Sequence, residues 1–208
     1  MADQVDICNM SLRHIAASRI NAIDEGSTES NAIRDYFDFL LEKELRLSPW
    51  SWATATAELA VVDSEEPPDY AYAFQLPADY LMIQQILETY TNNVVYDNWD
   101  QFYTSTARRN DEWEVRDGKL YTNLSEIYIK YTKVITDYAI LDSTFVLAFS
   151  HLLAHYIAPS LTTRDDLAAQ QYGLYLSNIN IARGMNGAEQ RRRIHISRDH
   201  LSSRNYYR

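Results

Sequence analysis

Cysteine is almost missing from this chain: there is one, Cys8. An intrachain disulfide is therefore excluded, and so is the run of paired cysteines that marks a structural zinc site or a stapled secreted domain. Glycine and proline are scarce, with five of each in 208 residues. The glycines stand singly, so no glycine-rich loop is available to cradle a phosphate. No apolar run approaches the roughly 18 residues of a bilayer span. The opening, MADQVDICNM, lacks the basic-then-apolar layout of a signal peptide. These absences lead us to expect a soluble protein made in a reducing cytoplasm.

What is present is apolar, aromatic and unevenly charged. Hydrophobic residues make up 46% of the chain, enough for a real core and too many for a disordered chain. Sixteen tyrosines and four tryptophans supply the amphipathic side chains that protein interfaces favour. The formal charge is −10, from 19 basic and 29 acidic residues. Six of the basic residues and one of the acidic ones fall between Arg191 and Arg208. That stretch carries about +5, and the remaining 13 basic and 28 acidic residues leave the body at about −15.

Periodicity divides the chain. Val5, Cys8, Leu12 and Ile15 form a helical stripe with Asp3 placed to cap it. After the turn-forming DEGSTES, a second stripe runs through Ile33, Phe37, Leu40, Leu41 and Leu45 until Pro49 ends it. From Trp50 to about Ile140 the runs are short and rich in Tyr, Thr and Val. WEVRDGKLYTN reads as a hairpin because Asp-Gly separates two alternating runs. In the strand after it, Ile127, Ile129 and Tyr131 share one face. DSTFVLAFSHLLAHYIAPSL is apolar nearly all round, as in a buried helix capped by Asp142 or Ser143. A fourth helix follows, with Leu167, Tyr172, Tyr175, Leu176 and Ile179 expected inward and Gly184 or Gly187 expected to end it.

The expected fold is α+β and mainly α. An antiparallel helical bundle is formed by both ends of the chain, residues 1–49 and 141–186, with a β-rich insertion at 50–140 and an extended basic C-terminal arm at 187–208.

Little in the chain points to catalysis. His151 and His155 are four apart on a helix, as two metal ligands would be. The glutamate of the zinc-protease motif is absent and spacing indicates no third ligand, so both read as core or interface histidines. The carboxylates of SEEPPD, DEWE and Asp165-Asp166 lie in polar stretches; an acid–base pair needs two environments that push their pKa values apart. Cys8 lies on an apolar stripe with no activating base nearby in sequence. The expectation is a non-enzyme with no catalytic residue, metal or cofactor.

Four stretches in order carry a resemblance: ICNMSLRHIAASRINAIDEGS, LRLSPWSWATATAEL, YAYAFQLPADYLMIQQIL and DGKLYTNLSEIYIKYT. Together they resemble the tail tubular protein A, or head-to-tail adaptor, family of short-tailed bacteriophages. The resemblance spans almost the whole chain. It departs at Ala16-Ala17, where a glycine is expected after the first helix, and in the richness of the tail in arginine.

The resemblance implies a structural virion protein, synthesised in the host cytoplasm. In similar proteins it is a homo-oligomeric ring, a dodecamer, at the portal vertex between the portal protein and the tail nozzle protein. Tail fibres attach near that junction, and genomic DNA passes through the channel without specific binding. It gives the arm a task, holding neighbours, with Arg191, Arg192, Arg193, Ile194, Ile196, Arg198, Arg204, Tyr206, Tyr207 and Arg208 as its contact residues. Arginine suits this because its planar fork pairs with carboxylates and stacks on aromatics. Fully extended, the 22 residues from Gly187 reach roughly 70 Å. An acidic wall would let DNA slide; equally, −15 only keeps the body soluble. The alternative function is a nucleic-acid-binding module that uses the arginine tail on phosphates.

Overall fold

The structure is a computed structural model that describes residues 2–62, 69–88, 94–97, 113–162 and 164–189. Among them are four α-helices and two small antiparallel sheets, an α+β arrangement.

Helix α1 (Gln4–His14) starts where expected. The Asp3 carboxylate accepts from the Asp6 amide at 2.7 Å, and Asp6 accepts in return from the Asp3 amide, a reciprocal cap of two orphan donors. Its end explains the missing glycine. Ala16 has φ 57°, in the left-handed region. The amide of Ala17 donates to the Leu12 carbonyl and that of Ala16 to Arg13, the bonding of a helix stop that usually recruits glycine. Alanine tolerates it at a cost of about 1–2 kcal/mol. The turn is fixed by Asn9, whose side chain exchanges two hydrogen bonds with the backbone of Ile20, both at 2.9 Å.

Helix α2 (Thr28–Leu47) is capped by Ser27 and stops at Ser48, before Pro49. Helix α3 (Ser143–Leu161) is capped by Asp142, whose carboxylate accepts from the Thr144 and Phe145 amides. By length and composition α3 alone among the described helices could cross a bilayer, but here most of its apolar residues from Phe145 to Ala158 are buried in the protein, Leu147 being exposed. Helix α4 (Asp165–Glu189) packs along α3. Apolar residues of all four helices share one core, built around Leu12, Phe37, Phe149, Leu153 and Ile179.

Helix α4 departs from the sequence expectation in two ways. It runs through Gly184 and Gly187 to Glu189, so three residues assigned to the arm are helical. Neither glycine has positive φ, so neither acts as a stop. Interior glycines cost a helix about 1 kcal/mol each relative to alanine, and a Cβ at Gly173, Gly184 or Gly187 would meet nothing within 4 Å. No close approach among the described residues accounts for them. Also, Tyr172 and Leu176, expected inward, are exposed, whereas Gln171 and Ala182 are buried. A helix apolar on several sides offers no single stripe for periodicity to select.

The β part is closed by its own ends. Strand β1 (Thr54–Glu58) leaves α2 through a short 3-10 turn, and β7 (Ile127–Lys133) leads back toward α3. The two pair antiparallel, Thr54 opposite Thr132, so the entry and exit of the segment between them are held side by side. One sheet runs β1-β7-β3-β4, with β3 at Tyr80–Glu88 and β4 at Val94–Asp97. The other runs β2-β6-β5 (Tyr72–Gln75, Lys119–Thr122, Trp113–Arg116). The β5–β6 hairpin turns at Asp117 and Gly118, both at positive φ, as a two-residue turn matched to strand twist requires. Ile127, Ile129 and Tyr131 face inward as expected, into a second core with Phe74, Ile83 and Leu120. Gln84, 2% exposed, ties β3 to β1 and β7 by donating to the hydroxyls of Thr54 and Thr132, 3.0 Å each.

Candidate functional site

The ten arm residues proposed as contacts, from Arg191 to Arg208, lie outside the described residues. The described part ends at the C-terminus of α4, and that terminus is anchored. The Asn186 side chain accepts from the Ser51 amide at 2.9 Å and donates to the Pro49 carbonyl at 3.0 Å. The last described turn of α4 therefore lies beside the corner where α2 turns into the β unit.

The two helical histidines each have a partner within the fold. His151 Nδ1 is 2.7 Å from Gln171 Oε1, and His155 Nδ1 is 2.9 Å from the Ala168 carbonyl. Both contacts join α3 to α4. The described residues contain no group of three or more His, Cys, Asp or Glu that could hold a metal. The third histidine near them was not foreseen. His14, in the last turn of α1, stacks on His151 with ring centres 4.0 Å apart, and its Nε2 is 3.0 Å from Ser150 Oγ. Gln171 completes the joint by donating to the His14 carbonyl at 3.3 Å. This pairing spans more than 130 residues of sequence, so no local pattern announces it.

Burial, then the neighbouring His151 and Arg13, push the His14 pKa down to about 4. Protonation is thus disfavoured in the fold relative to the unfolded chain, where it occurs near the ordinary 6.5. The stabilisation from a neutral His14 is complete above pH 6.5 and is lost as pH falls from 6.5 toward 4. His14 is only half-buried, so solvent screening reduces the effect to about 1–2 kcal/mol. Denaturant midpoints at pH 7.5 and 4.5 should drop by that much more for the native chain than for His14→Gln. Equal drops would show that the stack carries no proton linkage.

Among the described residues, the carboxylates singled out from sequence do not converge. Glu114 is 3.7 Å from Arg116, and Asp166 is 2.8 Å from Arg164, both at the surface. The hydrogen bond from Arg164 leads the causes that hold the Asp166 carboxyl below its usual range. In SEEPPD and DEWE the described members are Asp69, Trp113 and Glu114; the others lie outside the described residues. The carboxylate that sequence reading missed is Glu44, fully buried between α2 and α4. Its place three residues after Leu41 and seven after Phe37, on the apolar stripe, was the available signal. Cys8 is buried in the helical core. Burial, with Asp3 and Asp38 nearby, pushes its thiol up to about 12, the opposite of an activated nucleophile.

An open groove of about 420 Å³ lies beside the turn after β7, lined by Asp79, Lys133, Val134, Ile135, Asp137 and Ile140. Asp79 already accepts from the Tyr131 hydroxyl at 2.9 Å, and the lining mixes both charge signs with aliphatic surface. The larger unpaired surface is apolar: Phe39 and Leu47 on α2, and Tyr172, Leu174, Leu176, Ile181 and Met185 on α4, are all exposed.

In comparison with known proteins, the chain matches no protein-family model, and no curated protein matches it.

Proposed function

We propose that this chain is a subunit of a virion ring that joins the portal to the tail nozzle, as in the head-to-tail adaptors its sequence resembles. The observation that carries the reading is the order of elements. Two helices, a β unit closed on itself and two further helices follow one another; two of the four resembling stretches span joints between these parts, and the other two lie within the β unit. The first covers α1 and the turn into α2; the second covers the end of α2, Trp50 and β1; the third and fourth cover β2–β3 and β6–β7.

In this reading the helices of both chain halves form the antiparallel bundle that packs beside its neighbours around the DNA channel. The ring is a dodecamer as in similar proteins, with tail fibres attached near it and DNA passing unbound. The segment beyond Glu189 is the arm. Its 19 residues extend up to roughly 60 Å, and its arginines, Ile194, Ile196, Tyr206 and Tyr207 hold an adjacent subunit or the portal.

Sedimentation tests this. Full-length protein and a version ending at Glu189 are each mixed with the cognate portal ring, at two salt concentrations, with duplex DNA as control. Full-length protein should co-sediment stoichiometrically with the portal, and truncation should weaken or abolish it. The arginine segment also carries a second reading, a nucleic-acid module. Steeply salt-dependent binding to DNA with none to the portal would establish that one instead.

A further inference from the structure

Helix α4 has four distinct faces. At about 100° per residue, Ala168, Gln171, Tyr175, Ile179 and Ala182 fall on one line, and all five are buried. Roughly a quarter turn to one side stand Leu174, Ile181 and Met185, exposed by 40%, 55% and 53%. A quarter turn to the other side stand Tyr172 and Leu176, exposed by 42% and 44%. The two apolar flanks thus point in nearly opposite directions. Between them, on the side turned from the body, lie Gly173, Ser177, Asn180, Gly184 and Gly187. From Leu167 to Ala182 the helix has no charged residue.

We infer that the two flanks of α4 are the two halves of one head-to-tail contact between copies of this chain: Leu174, Ile181 and Met185 of one copy pack against Tyr172 and Leu176 of the next. The inference rests on the ring reading above and assigns the ring its lateral contact. Tyr172 is already positioned, its ring centre 5.0 Å from that of His155 and 5.7 Å from that of Tyr175, so little freedom is lost on contact.

Three observations select a second copy as the occupant. Charge is the first: the one basic residue from Leu167 to Met185, Arg183, falls on the Tyr172 flank but stands 3.7 Å from the buried Glu44 carboxylate, and that stretch holds no carboxylate to offer an arginine. The chain's own segment beyond Glu189 is long enough to fold back, but its six arginines would find no acid along Leu167–Ala182. Pairing is the second. A two-fold dimer or a single foreign partner covers one flank and leaves the other in water, whereas a repeated head-to-tail contact covers both. Area is the third. Each contact uses one flank from each copy, roughly 200 Å² of apolar surface a side, about a quarter of what each partner buries in a standard stable interface. Such a contact is weak between free copies and holds where many copies are aligned, as around a ring.

Disulfide trapping in concentrated full-length protein tests the contact. Cysteine replaces one residue per flank: Leu174→Cys or Ile181→Cys on one, Leu176→Cys on the other. All three sites are exposed, so folding is not at stake. Cys8 stays in place, since it is buried with its thiol pushed up to about 12, and the unaltered chain is the blank.

Under mild oxidation, mixing a chain with cysteine on one flank and a chain with cysteine on the other should give a crosslinked dimer. A chain carrying both should give a ladder of multimers, and each single variant alone should stay monomeric. A single variant that crosslinks to itself would show a two-fold contact and overturn the inference, as would a lack of crosslinks in every pairing. Portal binding without these crosslinks sinks the contact and leaves the adaptor reading standing; crosslinks without portal binding do the reverse.

Discussion

Replacing Trp50 with alanine should lower the unfolding free energy by about 3–5 kcal/mol, up to half of the stability of an ordinary domain. Two losses coincide there, the ring packing and the indole donor, while the backbone carbonyl of residue 50 is kept. The indole is 1% exposed and packs edge-on against Phe145, with ring centres 4.9 Å apart, and beside Trp52 at 5.6 Å. Its removal leaves a cavity at the base of α3. Its Nε1–H donates to the Glu44 carbonyl at 3.0 Å, one of the last-turn carbonyls of α2 that have no partner within the helix. Its own carbonyl accepts from the Thr54 hydroxyl at 2.7 Å, at the entry to β1. Trp50→Phe separates these effects: it keeps most of the ring packing and removes the donor, and should cost about 1–3 kcal/mol. Urea midpoints of the two variants should differ clearly. If Trp50→Ala costs less than about 1 kcal/mol, the corner relaxes to fill the gap and the residue is not the seat of the joint.

That corner shows how far the sequence could be read. Pro49 ends a helix by chemistry that acts within a few residues, and the stripes at Cys8, Leu12 and Ile15 or at Ile33, Phe37 and Leu45 follow a fixed period; all six of those residues are buried. The Asp117-Gly118 turn is likewise local, and it forms as expected. The long-range pairings are different. Nothing near Trp50 in sequence indicates that it meets Phe145, and nothing near His14 indicates His151. Helix α4 was misread for another reason. Its buried line contains Gln171 and two alanines, while leucine, isoleucine and methionine stand on its flanks, so hydrophobicity pointed away from the body. A residue set that defeats periodicity in this way is what a helix with partners on several sides requires. The charge asymmetry of the last 18 residues was legible at once, but charge alone names a class of contact and not its partner.

The buried carboxylate of Glu44 is the seat of a second large effect, a pair of losses that should not add. Its Oε1 accepts from the Tyr175 hydroxyl at 2.8 Å. Oε2 makes no hydrogen bond among the described residues and lies 3.7 Å from an Arg183 nitrogen, whose Nε is also unpartnered. Lys43 stands 3.9 Å from Oε1. Both cations are more than a third exposed, so their attraction is screened, and the tyrosine bond carries most of the compensation for burying the charge. Burial, then the bond to Glu44, pushes the Tyr175 hydroxyl well above its ordinary pKa, so it remains a donor throughout the physiological range.

Tyr175→Phe should therefore cost about 2–4 kcal/mol, because it strands a buried carboxylate. Glu44→Met should cost about 1–3 kcal/mol, because it strands the hydroxyl while Arg183 and Lys43 turn to water. The double variant should recover most of the loss and come within about 1 kcal/mol of the native chain, since an apolar pair of similar size removes both stranded groups. A double-mutant cycle from denaturant unfolding measures this directly. Additive losses would show that the two side chains are satisfied independently, with water reaching the carboxylate between α2 and α4. A large coupling would show a dry contact, in which one hydrogen bond holds α4 against α2 just below the two flanks proposed to meet neighbouring copies.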